Sequence, residues 1–301
     1  MSGSGTRARM AAHAKVNLLL RVLAGEADGY HGIETLFCLV SLADELTAER
    51  RDGAAGVTIE VAGADAGPAS DNLAVRAAQL VLDATGRRFG VHLALTKRIP
   101  VRAGLGGGSS DAAAALVVVN RLAHDSIPRH ELLQLAARLG SDVPVLLSGA
   151  PVALGWGHGE RLLRVPPLPA APALLLAPPI PVSTADAYRW VDATREGAAR
   201  RGAVAMDLDA LSSWGSVGRL AGNDFESAVF AKHPAVRVAF EALAGTGPLL
   251  CRMSGSGSTL FAVYRTAKDR DDARDRLGRR HGAIIAVETM SAPPPGPIAE
   301  S

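Results

Sequence analysis

The chain has 301 residues, 48% hydrophobic and 21% charged, which predicts a folded protein of two domains of about 150 residues, each with a sizeable core. A net charge of +2 without long Lys/Arg runs argues against a nucleic-acid-binding arm or a basic membrane patch, and no apolar run reaches the ~18 residues of a membrane-spanning helix. Two distant cysteines, Cys38 and Cys251, make no disulfide framework and favour a reducing cytoplasm.

The first predicted element is a strand over residues 14–22, in which alternate side chains are apolar. Lys15 and Asn17 lie side by side on its other face. Either that face is exposed to solvent, or the two side chains have a functional role there. The pattern is compatible with both interpretations. Segment 28–31, Asp-Gly-Tyr-His, is a turn that either displays Tyr30 and His31 or half-buries one ring.

Three further strands are predicted in the first half, over 33–42, 57–61 and 91–95. Between the second and third of these, Asn72 begins a helix that runs to about residue 84. Its side chain could serve only as the helix cap.

Four glycines within residues 104–108 make a loop almost without side chains, followed by two serines, Asp111 and a helix over 112–122. A glycine loop before a helix binds anions, because free backbone N–H groups and the helix dipole both favour negative charge. The loop is neither a Walker A motif, which needs a lysine before the serine, nor a dinucleotide-binding fingerprint. We predict a phosphate site, with a structural turn and a helix capped by Asp111 as the alternative.

A helix that starts at Pro128 and is amphipathic over 131–139 ends at Gly140, and Asp142 follows before an apolar run that contains a proline. Asp142 is either the N-cap of the next helix or a carboxylate held at a helix start to face a substrate. The pattern alone favours neither interpretation of Asp142. The Gly-rich segment 155–160 comes next, near the end of the first domain.

A Pro-rich segment at 164–172 predicts two domains, 1–163 and 164–301. The second domain reads as strand-turn-strand-helix-strand after earlier helices, which is typical of a ferredoxin-like α+β fold. Its predicted elements are strands over 174–177, 249–253, 259–264 and 283–289, helices over 224–231, 234–244 and 267–280, and a helix capped by Ser183 and Thr184. A polar loop at 195–206 and a disordered tail from about residue 292 are also expected.

These features together suit phosphoryl transfer, which needs a phosphate cradle, cations and a group that orients the attacking hydroxyl. The glycine loop is the cradle, and Ser109 or Ser110 could bind a phosphate oxygen or magnesium. Asp142 could accept the hydroxyl proton or mainly orient the hydroxyl. Lys15 could keep that carboxylate ionised and stabilise charge on the transferred group. The sequence has no Cys/His cluster with zinc spacing.

Residues 100–110 match Pro-x-x-x-Gly-Leu-Gly-Gly-Gly-Ser-Ser, and here the sequence resembles the GHMP family of small-molecule kinases. The resembling stretches cover most of the chain and include 14–18, 71–73, 140–144, 157–160, 223–226 and 253–257. Segments 28–31 and 182–188 resemble a subfamily whose substrate carries a cytidine diphosphate group.

The resemblance implies a two-domain α+β fold with an N-terminal ATP-binding α/β domain and a C-terminal ferredoxin-like domain. It also implies ATP and Mg²⁺, a catalytic pair of Lys15 and Asp142, and a position for Asn72 near the adenine. The implied ATP-phosphate loop comprises Pro100, Gly104, Leu105, Gly106, Gly107, Gly108, Ser109 and Ser110. The implied substrate contacts are a cytosine sandwich by Tyr30 and Tyr188, a hydrogen bond from His31, and polar contacts from Asn17 and Thr184.

Two other functions compete with this one. Another kinase of the family, acting on homoserine, mevalonate or a sugar, would have no cytosine for Tyr30, His31 and Tyr188 to hold. A nucleic-acid-binding protein is the second, because the family's N-terminal domain is similar to folds in ribosomal proteins; the near-neutral charge and the Lys15/Asp142 pair argue against it. We therefore expect a small-molecule substrate, no nucleic acid and no membrane, and a cytoplasmic monomer or homodimer.

Overall fold

The computed structural model describes residues 6–25, 31–53, 56–64, 67–195 and 207–300. Their backbone forms two sheets covered by helices. The strands are β1 Arg7–Gly25, β2 His31–Arg51, β3 Val57–Gly63, β4 Gly90–Lys97, β5 Val152–Gly157, β6 Arg161–Arg164, β7 Pro172–Ala177, β8 Gly222–Asn223, β9 Leu250–Met253, β10 Leu260–Val263, β11 Ala283–Glu288 and β12 Ile298–Glu300. The helices are a 3₁₀ turn at Ala69–Asp71 and α1 Leu73–Ala84, α2 Gly107–Leu122, α3 Arg129–Ala137, α4 Val143–Ser148, α5 Thr184–Arg195, α6 Trp214–Leu220, α7 Phe225–Lys232, α8 Pro234–Ala244 and α9 Ala267–Leu277. Within these described ranges, no helix combines the length and the apolar character needed to cross a membrane.

The first sheet is built around two long antiparallel strands, in the order β12-β1-β2-β4-β3. β4 pairs with the second half of β2, and β5 pairs with its first half. Register shifts on either side of Lys15 and Asn17 mark bulges in β1, and bulges re-aim side chains. Lys15 and Asn17 are only 3% and 2% exposed. The solvated-face alternative is therefore wrong.

The helix after the glycine loop, α2, begins at Gly107 rather than at residue 112, so Asp111 lies inside it. Its N-cap is Gly106, which has a left-handed φ of 71° that costs glycine little. The interpretation of Asp111 as the cap is therefore wrong, and its buried carboxylate instead pairs with Lys97. Four small alanines then let α2 pack on α1 and on the sheet.

The second sheet is antiparallel, in the order β11-β7-β10-β9. This is the strand order of a ferredoxin-like fold, with helices in both long connections. Alternate side chains of β7 enter two cores: Leu174 and Leu176 pack under the helices, while Ala173 and Leu175 pack against the first sheet. The α+β class and ferredoxin-like second half are confirmed, whereas the boundary at residue 163 stays a prediction.

Three segments differ from their sequence interpretation. β5 and β6 form a hairpin around the Gly-rich segment, and α6 is an additional helix. The tail expected to be disordered from about residue 292 ends in β12, which pairs with residues 7–9 of β1 beside an Arg9–Glu300 ion pair at 2.8 Å. The edge of a sheet exposes unpaired backbone N–H and C=O groups, with which a nearby segment can form hydrogen bonds. Composition alone does not predict such pairing. Most of the polar loop expected at 195–206 lies outside the described residues.

Candidate active site

The glycine loop connects β4 to α2 where the two sheets meet. The carbonyl oxygen of Leu105 accepts a hydrogen bond from the backbone N–H of Lys15 at 3.0 Å, and the Leu105 side chain is buried between the sheets. At Gly104, where φ is +78°, a Cβ would lie 2.2 Å from the carbonyl oxygen of Ser254. A side chain at this position would clash, so only glycine fits there. The loop is thus held against the first sheet through Leu105 and against the second sheet through Gly104.

Two cavities meet at this loop. The smaller, of about 490 Å³, is lined by residues 100–109 and by Asp71, Asn72, Leu73, Lys97, Asp111 and Thr184. The larger, of about 710 Å³, includes in its wall Lys15, Asn17, His31, Asp142, Thr184, Tyr188 and Asp192. The residues that line both are Gly104, Gly106, Ser109 and Thr184. Ligands in the two cavities would therefore approach each other across this shared wall.

Lys15 lies beside the shared wall with its ammonium group fully engaged. Its Nζ donates to Asn17 Oδ1 at 2.8 Å and to the Gly104 carbonyl oxygen at 3.2 Å, and lies 3.3 Å from Asp142 Oδ2. These three acceptors match the three N–H groups of an ammonium ion. One buried cation thus connects the glycine loop to a carboxylate in the larger cavity.

Asp142 occupies the N-cap position of α4, but the described residues show no cap hydrogen bond from its side chain. The carboxylate pairs with Lys15 instead, and its side chain is 29% exposed toward the larger cavity. The capping interpretation therefore holds for the backbone position and is wrong for the side chain. What remains is the second interpretation, a carboxylate fixed at a helix start.

Asn17 is buried and hydrogen-bonded within the protein, and its expected contact with a substrate stays a prediction. Its Oδ1 accepts from Lys15 Nζ and, at 3.0 Å, from the backbone N–H of Gly255, while its Nδ2 donates to Thr35 Oγ1 at 2.8 Å. The residue lines the larger cavity, but most of its amide is used within the protein.

A cluster of aromatic rings lines part of the larger cavity. His31 and Tyr188 stack with their ring centroids 5.2 Å apart and an interplanar angle of 19°, and Phe225 packs edge-on against Tyr188. His31 Nε2 lies 2.8 Å from Asp192 Oδ1. Burial, and then the negative charge of Asp142, raises the pKa of Tyr188 above its ordinary value. Tyr30 lies outside the described residues, so its place in this cluster stays a prediction.

The paired serines and Asn72 have distinct environments. Ser110 is buried and its hydroxyl donates to the carbonyl oxygen of His13 at 2.7 Å, so the hydroxyl proton is directed away from the cavities. Ser109 lines both cavities, which makes it the better of the two candidates for a phosphate or metal contact. Asn72 caps α1, accepting from the N–H of Ala74 at 2.9 Å, and also lines the smaller cavity. Its cap role and its expected place near a nucleotide are compatible.

A buried charge cluster lies beneath the loop and was missed by the motif reasoning. Lys97 Nζ donates to Asp111 Oδ2 at 2.7 Å and to Asp44, which also accepts from the backbone N–H of Ile99 at 2.8 Å. Asp111 Oδ1 is buried without a hydrogen-bond partner among the described residues. Burial raises the pKa of Asp111 to about 7, although the Lys97 charge pulls it down. The scarcity of lysine in this chain was the available signal for Lys97.

The loop between β9 and β10, residues 254–258, was also given no role by the sequence. Ser254 Oγ donates to the Gly104 carbonyl oxygen at 2.9 Å, and Ser256 Oγ lies 2.9 Å from Thr184 Oγ1. With the Gly255 N–H on Asn17, this loop braces both the glycine loop and the Lys15 network. Its alternating Ser and Gly residues and the family resemblance of residues 253–257 were the available signals in the sequence.

Family comparisons match both halves of the chain. The GHMP kinases N terminal domain matches residues 72–150, and the GHMP kinases C terminal domain matches residues 207–284. Among curated relatives, 4-diphosphocytidyl-2-C-methyl-D-erythritol kinase of Solibacter usitatus is 41% identical over 86% of this chain and 81% of its own. The protein of that name from Bordetella parapertussis is 43% identical over 95% of this chain and 91% of its own.

Solved structures give the same grouping. A crystal structure of 4-(cytidine 5'-diphospho)-2C-methyl-D-erythritol kinase superimposes with a TM-score of 0.79 and 35% identity, over 94% of this chain and 100% of that one. Homoserine kinase from Cytophaga hutchinsonii shares the fold, with a TM-score of 0.69 and 19% identity over 99% of this chain and 98% of that one. The chain therefore belongs to the GHMP kinases and, within them, to the family of 4-diphosphocytidyl-2-C-methyl-D-erythritol kinases.

Proposed function

We propose that this chain uses ATP to phosphorylate the 2-hydroxyl of 4-diphosphocytidyl-2-C-methyl-D-erythritol, giving the 2-phosphate and ADP, in non-mevalonate isoprenoid precursor biosynthesis. Curated relatives about 40% identical over most of their length carry the name of this kinase, which supports the proposal. The strongest support for the proposal is the position of one ion pair in the structure. Lys15 and Asp142 form an ion pair at the wall where the glycine-loop cavity meets a cavity with a stacked ring cluster.

The smaller cavity is proposed as the ATP site. Its glycine loop runs into α2, and a helix N-terminus offers unpaired N–H groups and positive potential to phosphate. Asn72, which also lines that cavity, would border the adenine. In this orientation the terminal phosphate lies toward the shared wall, within reach of Lys15.

The larger cavity is proposed as the site for the phosphoryl acceptor, with the cytosine at the ring cluster. Tyr188, together with Tyr30, supplies a stacking surface worth about 1–3 kcal/mol per base face. A hydrogen bond from His31 to the base edge would reject bases with the opposite donor and acceptor pattern. Thr184, which lines both cavities, would contact the substrate near the reacting hydroxyl.

In the proposed reaction the acceptor oxygen attacks the terminal phosphorus of ATP. At the same time the bond between that phosphorus and the oxygen that leaves with ADP breaks. The hydroxyl proton passes to Asp142, whose carboxylate also orients the hydroxyl. Because the transition state of phosphoryl transfer is loose, orientation can outweigh basicity. Lys15 stabilises the charge that develops on the transferred group, since its ammonium is already fixed between the loop and Asp142.

Magnesium belongs to the proposal as a cofactor. The described residues contain no group of three or more His, Cys, Asp or Glu side chains that could hold a metal ion by themselves. Mg²⁺ needs few protein ligands, because it keeps several waters and is held in kinases largely by substrate phosphates. The Ser109 hydroxyl is the proposed protein ligand. When bound, Mg²⁺ neutralises phosphate charge.

An acceptor panel tests the proposed function. The protein is mixed with ATP, magnesium and, separately, the cytidyl substrate, homoserine and mevalonate, and ADP release is followed. We expect ADP only with the cytidyl substrate. Release with homoserine or mevalonate and none with the cytidyl substrate would overturn the assignment in favour of another GHMP kinase.

A further inference from the structure

Thr35 lies on β2 behind the site and belongs to neither cavity wall. It is 1% exposed, and its hydroxyl has two partners. Oγ1 donates to the carbonyl oxygen of Leu19 at 2.8 Å and accepts from Asn17 Nδ2 at 2.8 Å. With its single proton committed to Leu19, the hydroxyl can act toward Asn17 only as an acceptor.

The neighbours of Asn17 define how its amide is oriented. Lys15 Nζ and the Gly255 N–H are both donors, so the carbonyl end of the amide must face them. The NH₂ end must then find an acceptor on the other side, and Thr35 Oγ1 supplies it. A rotated amide would set its NH₂ against two donors, which is costly in a buried site.

The chain of contacts continues to the reacting groups. Asn17 Oδ1 is one of three acceptors that fix Lys15 Nζ, the others being the Gly104 carbonyl oxygen and Asp142. A shift of the Asn17 amide would therefore move the ammonium relative to the glycine loop and to the carboxylate. Displacements of about 1 Å at a reacting centre can cost on the order of 100-fold in rate.

We propose that Thr35 is a positioning residue for phosphoryl transfer: its hydroxyl anchors the Asn17 amide, and the amide sets the place of Lys15. The inference rests on the proposed function for its kinetic consequences. Thr35 itself lines neither cavity, whereas Asn17 and Lys15, through which it acts, line the larger one. The predicted signature is a lower kcat with an unchanged KM for ATP.

Two substitutions test the hydroxyl, and they are matched to each other because both remove the Thr35 methyl group. Thr35→Ser keeps a hydroxyl, whereas Thr35→Cys puts a weakly hydrogen-bonding thiol in its place. We expect T35S to keep kcat within about threefold of wild type and T35C to lose about tenfold, with the KM for ATP within about twofold. Equal kcat values for T35S and T35C would overturn the proposal.

Thr289→Val is the control for a purely structural effect. Thr289 is also a buried threonine, and its Oγ1 accepts from the backbone N–H of Ala171 at 2.9 Å, outside the Lys15 network. T289V should lower Tm without lowering kcat. A kcat loss in T289V as large as in T35C, at equal loss of Tm, would show that stability rather than positioning explains the effect.

A structural readout separates this inference from the proposed function. In crystal structures of the two Thr35 variants, we expect the Lys15 Nζ to Asp142 Oδ2 separation to stay near 3.3 Å in T35S and to exceed 4 Å in T35C. Equal separations would overturn the positioning role whatever the substrate is. If the wild type does not turn over the cytidyl substrate but the separations differ as expected, the proposed function fails and the positioning role stands.

Discussion

Replacing Asp142 with Asn tests the phosphoryl-transfer site most selectively, because the size of the side chain is kept and its charge and basicity are removed. The carboxylate lies 3.3 Å from Lys15 Nζ and its side chain is 29% exposed, so the pair is only partly screened by water. If Asp142 only orients the hydroxyl, losing one charge-assisted hydrogen bond of about 1.5–3 kcal/mol lowers kcat by about 10- to 150-fold. If it also takes the proton, the loss extends to about 10²–10⁴-fold.

The assay is ADP release at saturating ATP and cytidyl substrate, with KM for ATP measured in parallel. Asp83→Asn is the matched control, since Asp83 is also an ion-paired aspartate but lies at the surface in the last turn of α1. We expect D142N to lower kcat at least tenfold with the KM for ATP unchanged, and D83N to match wild type. A D142N enzyme within threefold of wild-type kcat would refute the assigned role.

Three further predictions address the loop, the base pocket and the charge cluster. Gly104→Ala places a Cβ 2.2 Å from the Ser254 carbonyl oxygen, so Tm should fall and the KM for ATP should rise at least tenfold; wild-type values in calorimetry and kinetics would contradict this. Tyr188→Ala should raise the KM for the cytidyl substrate about 5- to 150-fold, from the loss of ~1–3 kcal/mol of stacking, and leave the KM for ATP unchanged; a change in both would point to misfolding. Burial raises the pKa of Asp111 to about 7 from 3.8, so the folded state holds this proton more tightly than the unfolded chain. That contribution to stability is complete below about pH 4 and is lost as the pH rises through about 7. Asp111→Asn should therefore flatten the fall in urea midpoint over this window, and an unchanged slope would count against the shift.

Some parts of this site could be predicted from the sequence, because residues that are close together in the chain determine their conformation. A glycine loop followed by serines and a helix is a local pattern, so a loop with a helix after it could be predicted from residues 104–122, although α2 begins at Gly107 rather than at residue 112. The strand carrying Lys15 and Asn17 was also predictable from its period of two. The bulges were not, because they depend on pairing with β2, and they are what turns both polar groups into a buried face.

The rest depends on contacts between distant residues. From the sequence, the Asp142 side chain could equally cap α4 or face a substrate. The choice is made by the ion pair with Lys15 of β1, a residue that is distant in the chain. Lys97 and Asp44 are 53 positions apart, and Thr35 is one of several polar residues of β2, none of which the strand pattern distinguishes. No local pattern marks such residues, since their partners come from packing rather than from spacing.

The central claim is that the two cavities deliver the terminal phosphate of ATP to one particular hydroxyl, across the wall that holds Lys15 and Asp142. The most direct test is phosphorus NMR of the product made by the full chain from ATP, magnesium and 4-diphosphocytidyl-2-C-methyl-D-erythritol. We expect one new phosphomonoester whose phosphorus couples to carbon 2 of the methylerythritol, with the diphosphate signals retained. A phosphate on a different hydroxyl, or ATP left unconsumed beside intact substrate, would contradict it.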